Sequence, residues 1–395
     1  MPFVFNMYSA LLLPAVVQCL LFAFLAALRF RREKRKSDLY LSLLLLVTGI
    51  KLSFWMLGFA GWYDSHDGYT SFMFYFPFNA YLVAGPLVYF YFKSITNIHF
   101  RLTKKDWPHL VLPILFMLLV LGKCIIDFTA FYPFPATVDY QFGTRGPYAE
   151  LDKSNLVTLL GFGSFFFYLL LTLKEFPAYR QYVRENFAGP EQLNFSWLQN
   201  MLLAISLGIL ALFGFRLWEW FHGEMAYKTD WYGYMALAVL SWYIVNKGYY
   251  VRSKQLYRLD FVPAVSLPVA EPGISPSTGE QDRWREELDR LMKTARPYLQ
   301  PELSLAELAT LLGTNKTVLS KVINSSYGEH FNDYINRYRV DQFIETIKKG
   351  AHDELTFLSI AYDCGFNSKA TFNRAFKKVT GKTPKAFIKG QDQQE

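Results

Sequence analysis

The chain has 395 residues, a formal charge of +8, 52% hydrophobic residues and 18% aromatic ones, but only 19% charged ones. So much apolar side chain excludes an intrinsically disordered protein. Three scattered cysteines, Cys19, Cys124 and Cys364, exclude a disulfide scaffold.

Before about Val251 the apolar residues fall into seven runs of the length that crosses a bilayer, about 20 residues. They are Tyr8–Leu28, Leu39–Trp62, Ser71–Phe92, His109–Ile126, Leu156–Leu173, Trp197–Trp218 and Trp231–Asn246. The first is not a cleavable signal peptide, which carries its positive charge ahead of the apolar stretch. Here Met1–Ala10 has no Lys or Arg, and Arg29, Arg31, Arg32, Lys34, Arg35 and Lys36 follow the run. The connections expected on the inner side continue this bias, with Lys93, Arg101, Lys104 and Lys105, then Lys174, Arg180 and Arg184, then Lys247, Arg252, Lys254 and Arg258. Outer segments carry only Arg145, Lys153 and Lys228. Positive charge is retained on the cytoplasmic side. The expected topology is an amino terminus outside and a carboxyl-terminal part in the cytoplasm.

Two features of this region invite a functional reading. The outer loop Asp127–Asn155, rich in Pro, Gly and aromatic residues, either binds something or forms an ordered cap over the bundle. Charge inside a span is costly, which singles out Lys51, Lys123, Arg216 and Glu219. Arg216 and Glu219 share one helix face and can form a structural ion pair. The aromatic stretch Phe72–Phe78 lines an apolar pocket or packs helices at the interface.

The character changes after Val251. Residues 251–280 read as a linker, with four prolines from Asp260 on. Gln281–Leu299 is amphipathic, with Trp284, Leu288, Leu291, Ala295 and Tyr298 on one face. It packs onto the domain behind it or supplies a dimer contact.

An internal repeat then appears. Leu303–Gly313 aligns with Leu355–Gly365, matching Ala309 to Ala361 and Gly313 to Gly365. Each copy predicts a short apolar helix, a tight turn at the glycine, and a second helix starting at a polar cap. Ser304 and Glu307 have capping-box spacing. The second helices are expected at about Asn315–Ser325 and Ser368–Val379. This is the helix-turn-helix pattern, whose second helix enters the DNA major groove. The two units, 303–328 and 355–381, are joined by a predicted helix over 331–348 with Phe331, Tyr334, Ile335, Tyr338, Ile344 and Ile347 buried.

The exposed faces suit double-stranded DNA. The first offers Asn315, Lys316, Thr317, Ser320, Lys321 and Asn324. The second offers Asn367, Ser368, Lys369, Thr371, Asn373, Arg374, Lys377 and Lys378. From Lys369 to Lys389 there are seven basic residues and no acid, a focused charge of the kind phosphate binding needs.

These residues resemble the DNA-binding domain of the AraC/XylS family of transcription regulators over about Tyr298–Ile388. The resemblance lies in Leu303-Ser-Leu-Ala-Glu-Leu-Ala, Leu319-Ser320, Ile323-Asn324, Tyr334–Arg339, Ile360-Ala361, Gly365–Ser368, Phe372–Lys378, Thr380-Gly381 and Thr383-Pro384. The amino-terminal part is similar to a membrane-bound branch with a multi-span sensor, through Gly85–Tyr91 and His109–Pro113. The resemblance implies specific DNA binding and control of transcription, often through RNA polymerase.

The expected fold class is all-α: a polytopic seven-helix transmembrane bundle (1–250), the linker, and a cytoplasmic tandem helix-turn-helix domain (281–395). The leading functional reading is a one-component receptor. It sits in the lipid bilayer, answers a small-molecule or envelope signal, and acts on DNA, with a homodimer as one arrangement. The alternatives are a membrane enzyme or transporter fused to its own regulator, and a passive anchor. No H-E-x-x-H, G-x-S-x-G, C-x-x-C or P-loop pattern occurs, so no enzyme, metal site or cofactor is expected.

Overall fold

A computed structural model describes residues 4–64, 67–76, 81–134, 146–150, 156–189, 193, 195–222, 227–250, 259–261, 278–349 and 356–391. Its regular elements are helical. Two compact units form, Met1–Phe176 with Ser196–Phe261, and Pro177–Phe195 with Val262–Glu395.

The first unit contains α1 (Met7–Glu33), α2 (Lys36–Phe59), α3 (Gly68–Met73), α4 (Tyr81–Thr96), α5 (Pro108–Ala130), α6 (Pro147–Glu150), the first part of α7 (Leu156–Asn186), α8 (Ser196–His222) and α9 (Tyr227–Ile244). Among the described residues three of them, α1, α2 and α5, are long and apolar enough to cross a membrane. The fifth, sixth and seventh expected runs fall on α7, α8 and α9. The third is not one continuous helix. α3 ends in turns at Phe74–Phe76, directly before Pro77, because a proline disfavours helical backbone at the residue preceding it. α4 then starts at Tyr81.

α1 begins at a reciprocal cap between Asn6 and Ser9 and forms a hairpin with α2. The Ser42 hydroxyl donates to the Ala23 carbonyl at 2.7 Å across it. At the turn, Asp38 pairs with both Arg29 and Arg35, and Arg29 also donates to the Tyr249 carbonyl at 2.6 Å. Part of the basic turn is therefore committed to an internal network. Lys51 is buried, and its Nζ lies 5.9 Å from the ring centroids of Phe54, Trp55 and Tyr234, a cation–π setting that moderates the cost of burying it. Arg216 and Glu219 fall on α8, and their side chains lie outside the described residues.

At the other end of α5, Asp127 is fully buried. It accepts a hydrogen bond from the Tyr75 hydroxyl at 2.6 Å and others from the Tyr148 and Ala149 amides at 3.1 and 3.0 Å. The carboxylate thus satisfies the free amides at the start of α6 and fastens this part of the expected outer loop to α5. Residues 135–145 and 151–155 of that loop lie outside the described ones. Tyr75 packs with Phe134 and Ala149, so this member of the aromatic stretch is core.

Most of the expected linker lies outside the described residues. Its Leu259–Phe261 strip pairs with the end of α4, with the Ile98 amide donating to the Leu259 carbonyl at 3.0 Å and the Phe261 amide to the Thr96 carbonyl at 3.2 Å.

The second unit holds the last part of α7, then α10 (Thr278–Thr294), α11 (Leu305–Leu312), α12 (Lys316–Tyr327), α13 (Phe331–Lys348), α14 (Phe357–Asp363), α15 (Lys369–Thr380) and α16 (Pro384–Gln391). It has two apolar cores. One gathers Leu288 and Met292 of α10 with Leu305, Leu308, Leu319, Ile323, Phe331 and Ile335. The other gathers Val340, Phe343 and Ile347 of α13 with Ile360, Ala361, Phe372 and Phe376. α13 lines both, so one rigid helix carries a helix pair at each end. α10 packs onto the domain behind it through Leu288, Leu291 and Met292.

Candidate nucleic-acid interface

Each helix pair is built by the same local chemistry. Ser304 caps α11, its hydroxyl accepting from the Glu307 amide at 3.2 Å while the Glu307 carboxylate accepts from the Ser304 amide at 2.8 Å. Thr356 caps α14 in the corresponding place. Ala309 and Ala361 are buried where the helices of each pair meet. The turns need glycine: Gly313 has φ of +78° and Gly365 has φ of +90°, a region that side chains with a Cβ rarely adopt.

The second helix of each pair starts at a polar cap. Asn315 Oδ1 accepts from the Val318 amide at 2.9 Å, and the Ser368 hydroxyl accepts from the Thr371 amide at 3.1 Å. Asn315 and Ser368, expected at the interface, therefore also define where α12 and α15 begin. Leu319, Val322 and Ile323 anchor α12; Phe372, Ala375 and Phe376 anchor α15. This burial fixes which side chains face outward.

On α12, Asn315, Lys316, Thr317 and Asn324 are exposed, and Ser320 and Lys321 are half-buried. On α15, Lys369, Asn373, Arg374, Lys377 and Lys378 are exposed, and Asn367 and Ser368 are half-buried. Thr371 departs from the expectation. Its side chain is 1% exposed, and its hydroxyl pairs with that of Ser368 at 2.7 Å, so it belongs to the cap and core. Lys378 makes an exposed ion pair with Asp333 at 2.7 Å, a contact weak enough to exchange for a phosphate. The outward face of α15 bears four cations, and that of α12 is mostly neutral and polar.

Residues 308–390 match the family model of a helix-turn-helix domain.

The matched stretch includes both second helices, α12 and α15, and the α13 rod between them. Curated relatives agree. An uncharacterised HTH-type transcriptional regulator of Staphylococcus aureus strain COL is 32% identical over 90 residues, 23% of this chain and 12% of that protein. Its counterparts in strains MSSA476 and N315 match over the same shares at the same identity. The chain thus spans a small fraction of the relatives it matches, and the likeness concerns this domain alone. No solved structure matches.

The helix-turn-helix domain also depends on a buried cation that lies off its polar outer faces. Arg339 of α13 is fully buried. It donates from Nε to the Tyr298 carbonyl and from Nη2 to the Gln300 carbonyl, each at 2.7 Å, and its guanidinium lies 5.8 Å from the centroid of Phe366. It ties the 3-10 turn Pro297–Leu299, which leads into the first helix pair, to the turn of the second. An Arg on a helix face otherwise occupied by Tyr334, Ile335 and Phe343 was the available signal.

Proposed function

We propose that the chain is a membrane-bound, sequence-specific DNA-binding transcription regulator of AraC/XylS type. In this reading it is a one-component receptor that links a membrane or extracytoplasmic signal to gene expression. The carrying observation is the pair of capped helices, α12 and α15, each with a buried apolar stripe and a polar outer face, on one connecting helix. Such helices read base edges with the first turns of the second helix. Arg374 suits a guanine edge and Asn373 an adenine edge. Lys369, Lys377 and Lys378 suit phosphates, supplying the salt-dependent part of the affinity.

The membrane half rests on α1, α2 and α5. α5 leaves Leu115, Leu118, Leu121 and Ile125 more than half exposed, an uncovered apolar face whose natural solvent is lipid. Together with the inner-side bias in Lys and Arg, this supports a multi-pass chain with the regulator domain in the cytoplasm. RNA polymerase and a second copy of the chain are the expected protein partners. No catalytic step is assigned.

The test uses the purified full chain in lipid discs and a pool of random-sequence duplexes. Retention should fall steeply with salt, and Arg374→Ala should relax base preference at one position at a cost of about 1–3 kcal/mol. Lys377→Ala should weaken all sequences alike and flatten the salt slope. Retention that is indifferent to salt and to both substitutions would contradict the reading.

A further inference from the structure

The second unit contains a segment from an unexpected part of the sequence. Pro177–Phe195, the end of α7 and the stretch after it, is grouped with the helix-turn-helix domain. Phe187 forms an antiparallel bridge with Ser304, and the Ala188 amide donates to the Leu303 carbonyl at 3.0 Å. The Asn332 side chain of α13 donates to the carbonyls of both Phe187 and Ala188, at 3.1 and 2.8 Å. Asn332 is itself held by the Asn336 amide at 3.0 Å. Ala188 is fully buried in the first apolar core, and Phe187 is 4% exposed. The entry to α11 and the Asn332 side chain thus hold this short segment by its backbone, through one isolated antiparallel bridge and three hydrogen bonds.

The next residue touches the reading surface. Gly189 lies so close to Asn367 that a Cβ there would fall on the Asn367 side-chain amide. Asn367 directly precedes Ser368, the cap of α15, and its Oδ1 is buried without a hydrogen-bond partner. The segment is fixed at its far end too. The Tyr179 hydroxyl donates to the Leu193 carbonyl at 2.6 Å, and the Tyr179 and Phe195 rings stack with centroids 5.9 Å apart. Phe187–Gly189 therefore spans both helix pairs, from the start of α11 to the entry of α15.

We propose that Phe187–Gly189 is an autoinhibitory latch, whose docking and the binding of a DNA duplex at the entry of α15 exclude each other. A duplex read by α15 brings a phosphate or base edge to the first turn of that helix, where Gly189 now sits. The latch is a segment of this same chain, so the closed state needs no partner. It is released when α7 moves the segment, or when DNA competes it away. The proposal rests on the DNA-binding reading above.

Three measurements on the full chain in lipid discs, with the random-sequence duplex pool as probe, test it. Asn332→Leu removes both side-chain bonds to the latch and leaves α12 and α15 untouched. If nine chains in ten are latched, release raises apparent duplex affinity about tenfold. Phe187→Cys with Ser304→Cys sets two thiols at bridge positions that suit a disulfide. The oxidised protein should lose duplex binding, and reductant should restore it in the same sample. In the unsubstituted chain, the Ala188 amide should exchange slowly with solvent deuterium and lose that protection when duplex is added. Equal binding by the oxidised and reduced forms, unchanged or weaker binding by a folded Asn332→Leu chain, or protection of Ala188 that persists with duplex bound overturns the latch and leaves DNA binding standing. Failure of every form, released ones included, to retain duplex overturns both.

Discussion

Arg339 shows how one residue can hold an interface it never touches. Its hydrogen bond to the Tyr298 carbonyl is buried and its bond to the Gln300 carbonyl partly so, so removing the guanidinium strands one buried and one partly buried acceptor. At about 1–3 kcal/mol for each, Arg339→Met should destabilise the second unit by about 3 kcal/mol. Hydrogen exchange at the α13 amides should then quicken about a hundredfold, since 1.4 kcal/mol is a factor of ten. Unchanged exchange would show that the packing alone holds α13. Cys364 makes a second residue-level test. Burial, and then the neighbouring Asp363, push its thiol up to about 12. At pH 8 the thiolate is then about one part in ten thousand, so Cys364 should resist alkylation in the folded chain and react only in denaturant. Labelling at the rate of an exposed thiol would contradict its place in the core.

At the scale of elements, the boundaries of the regulator domain follow from caps. Ser304, Asn315, Thr356 and Ser368 each accept a backbone amide at a helix start. Ser304→Ala should cost about 1 kcal/mol, measured as a lower denaturant midpoint of the unit; no loss would mean that the neighbouring bridge, not the cap, fixes α11. These elements were legible in the sequence because caps, glycine turns and apolar spacing are local signals. The helix at 331–348 is found where its periodicity predicts. Arg339 and Phe343 escaped that reading because a stripe defined by apolar spacing admits no cation and tolerates a missed position. Thr371 is polar and so suits the DNA face by sequence, yet the third helical position turns inward here. The end of α3 at Met73, within the third expected run, also has a signal in the sequence, the proline at position 77, which the uniform hydrophobicity of the run conceals. The docking of Phe187–Gly189 on the domain had no local signal: it joins residues more than a hundred apart, and periodicity carries no such information.

For the whole molecule, the proposed reading divides the composition between lipid and water. The apolar excess belongs to the helices before residue 251, and the basic excess is shared by α15 and the turns that this reading places on the inner side. Some of the turn charge is internal, since Arg29 and Arg35 both pair with Asp38; orientation would then depend on Arg31, Arg32, Lys34 and Lys36 as well as on the later inner connections. In intact cells, reporter fusions at the amino terminus and at Glu395 should be active outside and inside respectively, and the reverse pattern would refute the proposed topology. The proposed function requires that two helices on one rod read one duplex, which footprinting of the full chain on genomic DNA would reveal. Two protected major-groove segments are expected on one side of the duplex, about one helical turn apart, with Arg374→Ala weakening only the segment read by α15. A single protected segment, or no specific protection at any salt concentration, would contradict it.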